Sequence, residues 1–426
     1  MYEKEQILYH YTKDLQFLER VVHAKEHNLC TDYLRDSPPG IAVQFRELLQ
    51  QVLREYQVKY PEGIDAISLS GGLDTSILAE ASDQPWVTDQ GYGVFSLEKS
   101  SGARPILRFK HAFTVQADED AKDAYYADEI FKRLEKVSIE KQHILKVSLE
   151  ELLEYAEPVT KLLGTCDPME LRNSLVIYAT LKHAAELEVK HIVTGDGADE
   201  IFCGYAFYTS MAEDQLLAYR DRIIEVMRFT ASMLARSFGI EVISPFLDER
   251  VVSFAKTLRK TDIVGERTPV PVEGPGVAYG KLVMRQAFPE AFSQWRWKQP
   301  IEQGAGTTAL RMGYFDGKFT NEELDAQRRD AWRTHGVFIR DKEHLFFCRA
   351  LLRAFNGDLS HIPKRRYSDA LGPICPACGF ELSHPQQDFC ITCGWWPTRV
   401  TETNNSSGYA TKALADLEVN TRQLST

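Results

Sequence analysis

Between residues 60 and 210 short apolar runs alternate with segments whose apolar positions recur every three or four residues. The runs are DAISLS (65–70), HAFTVQ (111–116), HILKVS (143–148) and HIVTG (191–195). They have the length and composition of buried strands. DAYYADEIFKRLEKV (123–137) and NSLVIYATLKHAAEL (173–187) carry the three-to-four spacing of helices with one apolar face. Strands alternating with helices predict an α/β fold, a doubly wound, mostly parallel sheet with helices on both faces. In such sheets ligands bind at the carboxyl ends of the strands.

The pattern changes on either side of this block. Residues 1–60 read as a helical region ending in GIAVQFRELLQQVLREYQVKY (40–60), and residues 61–210 as the α/β domain. Residues 211–365 are mainly helical and complete that domain. They are interrupted by a Pro/Gly-rich loop, ERTPVPVEGPGVAYG (266–280). A polar, basic stretch near 362–372 reads as a linker, residues 370–398 as a compact cysteine module, and 399–426 as a polar, flexible tail whose second half allows a short helix. No internal repeat is evident.

Composition narrows the class. The chain has 426 residues, 44% hydrophobic and 26% charged, with a net charge of −11. That balance argues against broad affinity for nucleic acid, leaving PKRRYSD (363–369) as a local basic patch or a solvated hinge. No apolar stretch approaches the ~18 residues that span a bilayer, and the charged N-terminus lacks a signal-peptide core. A soluble, cytoplasmic protein is expected. Of eight cysteines, Cys30, Cys166, Cys203 and Cys348 are scattered and four cluster near the C-terminus. That suits a reducing compartment and one metal site better than a disulfide framework.

The candidate chemistry begins at Ser70-Gly71-Gly72-Leu73-Asp74-Thr75-Ser76, placed after a strand and before a helix. Glycines there permit a tight turn with N–H groups close to an anion, and the helix presents its positive end to the same point. Ser68, Ser70, Thr75 and Ser76 add hydroxyls around Gly71 and Gly72, and Asp74 is suited to a Mg²⁺ ion bridging phosphate oxygens. The spacing is not that of a Walker loop.

This string resembles the pyrophosphatase loop of the N-type ATP pyrophosphatases. They include asparagine, argininosuccinate and GMP synthetases and tRNA-thiolating enzymes. Thr75, shared with argininosuccinate synthetases, leaves the branch open. VTGDGADEIFCGY (193–205), EVISPFLDERVVSFAKTL (241–258), YGKLVMRQAF (279–288) and WRWKQPIEQGAGTTAL (295–310) resemble stretches of asparagine synthetases, the last in a form closest to β-lactam synthetases. The resemblance covers roughly residues 40–350. It implies ATP cleavage between the α and β phosphates and an adenylated carboxylate.

By that resemblance Asp74 and Asp199 coordinate Mg²⁺, although Asp199 also suits a helix N-cap. Lys298 holds the α-phosphate or adenylate, Gly195 lies at the nucleotide, and Gly304 and Gly306 let the backbone near pyrophosphate. Lys281 and Arg285 are phosphate candidates or helix-surface residues. Four departures stand out. Asp196 replaces a Glu or Tyr that faces the second substrate; an acid there suits orienting or deprotonating an amine. Cys203 replaces a glycine, as a sulfur carrier or as a small core residue. The segment 86–110 suggests a specificity loop or an extra hairpin. Tyr2 stands where glutamine-dependent asparagine synthetases have a catalytic Cys, so the expected nucleophile is ammonia, a substrate amine or a group delivered by a partner.

Cys375-x-x-Cys378 and Cys390-x-x-Cys393, each pair followed by glycine, have the spacing of a structural Zn²⁺ ribbon. So small a module lacks a core of its own, and metal supplies its stability. His384 reads as a loop residue. Trp395 and Trp396 suit either docking of a carrier, protein partner or nucleic acid, or packing against the main domain. The leading expectation is an ATP-dependent ligase that joins a small-molecule carboxylate to ammonia or an amine. The alternatives are a thiolating or tRNA-modifying enzyme and a non-catalytic nucleotide-binding module.

Overall fold

A computed structural model describes residues 39–85, 104–135, 137–267, 277–311, 313–384, 387–401, 405 and 408–425. Most of the N-terminal helical region, most of the 86–110 segment and the centre of the 266–280 loop therefore lie outside the described residues.

Five strands, β1 (Ile64–Ser68), β2 (Phe109–Gln116), β3 (Ile139–Lys146), β4 (His191–Val193) and β5 (Glu241–Ile243), form one sheet in the order β3-β2-β1-β4-β5. Every pairing in it is parallel. Chain order runs outward from β1 through β2 to β3, then restarts on the other side at β4. The direction reverses between β1 and β4, and such a reversal opens a crevice at the strands' carboxyl ends. In register, Ile67 lies opposite Val193, so the loops leaving β1 and β4 emerge side by side.

The helices used below are α1 (Gly40–Lys59), α2 (Leu73–Asp83), α3 (Lys122–Arg133), α4 (Leu149–Glu154), α5 (Ala156–Leu163), α6 (Pro168–Glu186) and α7 (Ala198–Ile201). They continue with α8 (Leu282–Ala287), α9 (Ile301–Gly304), α10 (Asn321–His335), α11 (Lys342–Ala354) and α12 (Tyr409–Ser425). Neighbouring strand residues feed opposite cores, as a pleated sheet buried on both faces requires. Ala66, Phe113 and Ile192 join the core that includes Leu171 and Leu175 of α6. Ile67, Ala112 and Val193 join the one that includes Phe45 of α1 and Ile77 of α2. Asp167 caps α6, accepting from the Met169 N–H, and Pro168 begins it without a donor to satisfy.

The cysteine module shares the α6 core, with Cys375, Cys378, Cys390 and Cys393 all buried there. It is pinned to distant chain: the Phe338 N–H donates to Ala377 O at 2.7 Å, and the Cys166 N–H to Thr392 O at 2.8 Å. The stretch before it acts as a clamp. Lys364 donates to Gly164 O at 2.7 Å and to Thr392 Oγ1 at 3.1 Å, while Arg366 donates to His335 O at 2.5 Å and Cys378 O at 2.8 Å. Two of the basic side chains of 363–369 thus point inward. Trp395 packs edge-on against Phe338, and Trp396 stacks on Tyr409 of α12. That helix lies on α10, where the Trp332 Nε1–H meets Ser425 Oγ and Arg333 donates to Leu424 O, both at 3.0 Å.

Candidate active site

The loop after β1 turns through Gly71, whose φ of +69° puts its Cα against Tyr126 and Ala127 of α3. An added Cβ would lie 2.5 Å from Tyr126 Cβ, so only glycine fits. Ser70 Oγ and Thr75 Oγ1 are 3.2 Å apart across the turn. Two groups from the 293–299 segment brace the turn from behind. Ser293 Oγ donates to Gly71 O at 2.6 Å, and Arg296 donates to Ser70 O at 3.1 Å. Arg296 is itself fixed by Asp123 at 2.6 Å and lies over the Tyr126 ring. Burial pushes the Asp123 carboxyl up, and Arg296 opposes that shift.

From the adjacent loop after β4 comes Asp199, and between it and Asp74 stands Lys281. The Lys281 ammonium is 2.5 Å from Asp74 Oδ1 and 2.7 Å from Asp199 Oδ1. Lys298 reaches Asp199 Oδ2 at 2.6 Å. Burial opposes ionisation of Asp199, but Lys281 and then Lys298 overcome it and hold its carboxyl well below the usual range. Close packing enforces this cluster. At Gly204 a Cβ would sit 2.0 Å from Asp199 Oδ1 and 2.3 Å from Lys281 Cε. Two carboxylates that reach one ammonium also reach one cation, and oxygen ligands of this kind suit Mg²⁺.

Ser68, Ser70, Asp74, Thr75, Gly195, Asp196, Asp199 and Lys298 line one cavity of ≈ 2900 Å³. Gly71, Gly72, Ser76, Gly304 and Gly306 do not line it. Ser76 is fully buried. An added Cβ at Gly304 would lie 2.3 Å from Asp123 Oδ1, and one at Gly306 2.5 Å from Asp118 Cβ. Arg285 is turned into the fold, donating to Gly280 O at 3.0 Å and to Gln294 O. Asp196 accepts from Thr194 Oγ1 at 2.9 Å, and burial pushes its carboxyl up to about 6. Cys203 is completely buried at a φ of +54°, and burial pushes its thiol up to about 12.

Sequence reasoning underrated Lys281. Its signal was a cation at the start of a helix, which the helix dipole disfavours unless an anion is near. It also missed Arg172, 4% exposed, which pairs with Glu302 of α9 at 2.5 Å and with Glu343 of α11 at 2.7 Å. Trp395 and Trp396, read as docking or packing residues, form part of the far wall of the cavity with Tyr409 and Lys412 of α12, which sequence reasoning did not place there.

The four module thiols lie within 4.8 Å of one another, with Cys375–Cys393 at 3.8 Å and Cys378–Cys390 at 3.7 Å. Zinc–sulfur bonds of about 2.3 Å in a regular tetrahedron put sulfurs about 3.8 Å apart. The cluster fits a Cys₄ zinc.

The asparagine synthase family model matches residues 65–225, which span β1 through β4 and both acidic loops. The chain carries an asparagine synthetase-like domain. A probable glutamine-hydrolyzing asparagine synthetase of Dictyostelium discoideum is 24% identical over 330 residues, 72% of this chain and 54% of that protein. A putative one of Methanocaldococcus jannaschii is 27% identical over 225 residues, 50% of this chain and 36% of that protein. Asparagine synthetase B of Escherichia coli is 24% identical over 277 residues, 62% and 45% of the two chains. The chain spans about half the length, or less, of these relatives. Among the described residues no helix is long and apolar enough to cross a membrane.

Proposed function

We propose that this asparagine synthetase-like domain adenylates a substrate carboxylate with ATP, releasing pyrophosphate, and passes the acyl group to ammonia or an amine. The observation that carries this reading is the convergence of Asp74, Asp199, Lys281 and Lys298 where the β1 and β4 loops meet. Ser70, Thr75 and the start of α2 would receive the departing phosphates. Asp74 and Asp199 would hold Mg²⁺, which, when bound, neutralises charge on pyrophosphate. Lys298, in the cavity wall beside Asp199, stabilises the charge that builds on the α-phosphate. Asp196, on the same wall, takes the proton from the incoming amine.

The cavity runs on to the cysteine module and exceeds the roughly 300–1,000 Å³ of an ordinary ligand site. That supports an acid larger than aspartate. Sulfur relay is disfavoured by Cys203, buried with its thiol protonated in the core. The inward Lys364 and Arg366 remove much of the basic patch an RNA substrate would use.

A panel of carboxylic acids with ATP, Mg²⁺ and ammonia or amines tests the reading. Pyrophosphate and AMP are expected in step with amide; ADP instead of AMP would overturn it. Lys298→Ala is expected to lower kcat by about 10²–10³, and Cys203→Ala to leave it unchanged.

A further inference from the structure

Outside the active site, Cys166, His344 and Cys348 bring two sulfurs and an imidazole within 4.8 Å, all buried. Cys166 precedes the cap of α6, and the other two lie on α11. His344 Nδ1 accepts from the Arg340 N–H at 3.2 Å, so the ring's hydrogen lies on Nε2, 3.5 Å from Cys166 Sγ. The Cys348 thiol also donates to Cys166 Sγ, at 3.1 Å. One sulfur thus faces two hydrogen-bond donors, the nearer of them a second thiol.

A metal is the competing reading, and the geometry opposes it twice. An Nε2 that carries hydrogen has no lone pair for a metal. Two sulfurs on one tetrahedral ion lie about 3.8 Å apart. The ribbon thiols reach 3.7 and 3.8 Å, whereas Cys166 and Cys348 are at 3.1 Å.

The space beside the pair is small. A cavity of ≈ 20 Å³ is lined by Cys166 and Cys348 together with the ribbon's Cys378 and Cys393. Such a space admits a molecule the size of water or hydrogen peroxide.

We propose that Cys166 and Cys348 form a dithiol that hydrogen peroxide oxidises to a disulfide, a redox modification site at the seat of the cysteine module. The Cys166 sulfur attacks one peroxide oxygen and breaks the O–O bond as the Cys166 thiol proton passes to the other oxygen, which leaves as water. The sulfur of Cys348 then displaces the hydroxyl from the Cys166 sulfenic acid, forming the S–S bond, and its proton leaves with that hydroxyl as the second water. Two thiols lose two electrons and one peroxide gains them. The bond would tie the entrance of α6 to α11, next to the Cys166–Thr392 hydrogen bond that seats the ribbon.

The test uses the full chain loaded with one zinc, treated with peroxide, alkylated and digested. Expected is a peptide pair joined through Cys166 and Cys348, two hydrogens lighter than the reduced pair, forming before zinc is released. Cys348→Ser is expected to leave Cys166 as a sulfenic acid, trapped by dimedone added on unfolding. Oxidised glutathione, too large for the cavity, should react at least tenfold more slowly. Full alkylation of both cysteines after peroxide, zinc release ahead of the cross-link, or a second metal equivalent lost in Cys348→Ser would each overturn the proposal.

Discussion

Burial pushes the Asp196 carboxyl up to about 6, while Thr194 donates a hydrogen bond that pulls the other way. As a base it must be ionised. The rate of amide formation should therefore fall about tenfold per pH unit below 6 and level off above it. Asp196→Asn should remove that inflection and lower the plateau by about 10², read from amide formed with a fixed amine. Glu80 of α2 gives a stability counterpart. One oxygen accepts from the Phe292 N–H at 3.0 Å, the other is buried without a partner, and burial pushes the carboxyl up to about 7 from 4.5. The folded state therefore holds the proton more tightly than the unfolded chain. Stability associated with that proton is fully present below 4.5 and lost as pH rises through 7. Against Glu80→Gln, wild type should lose up to about 3 kcal/mol between pH 4 and 8, measured by denaturant unfolding; a flat difference would refute it. Asp196 was legible because it departs from a motif at a known place. Glu80 was not, because a Glu in an amphipathic helix reads as solvated until the segment around Phe292 is seen to cover it.

At the scale of elements, strand–helix alternation made the sheet legible, including the block from β1 to β4. Strand β5, no shorter than β4, was missed because it lies within residues 211–365, which read as mainly helical. The ribbon divides in the same way. Its cysteine cluster was legible because Cys-x-x-Cys spacing is local, whereas its seat depends on Cys166, Phe338 and Arg366, far away along the chain. That seat predicts a coupled response to chelation. Removing zinc should release the Thr392 and Ala377 carbonyls that hold the Cys166 and Phe338 N–H groups. Hydrogen exchange should then rise around 165–167 and 336–340 while α2 and β1 stay protected. Unchanged protection at Phe338 would show that the seat survives without metal.

At the scale of the whole molecule, Arg172 is a buried cation that no periodicity announces. Arg172 on α6 is 130 positions from Glu302 and 171 from Glu343, yet its guanidinium meets both, on α9 and α11. It joins the sheet-covering helix to the segment that carries Lys298 and to the helix that underlies the ribbon. Taking three charges out of water is costly, so the cluster's net contribution over a well-packed apolar set is small. Removing one member is different, because the others remain buried without their partner. Arg172→Met should therefore destabilise by about 3–5 kcal/mol, while combining it with Glu302→Gln and Glu343→Leu should recover much of that loss. Activity separates the structural role from the positional one. Glu302 stands four residues beyond Lys298 on the segment that braces the phosphate loop. If the cluster sets the place of Lys298, the triple variant should regain its unfolding midpoint in denaturant but not its rate of pyrophosphate release. Recovery of both would confine Arg172 to holding the fold.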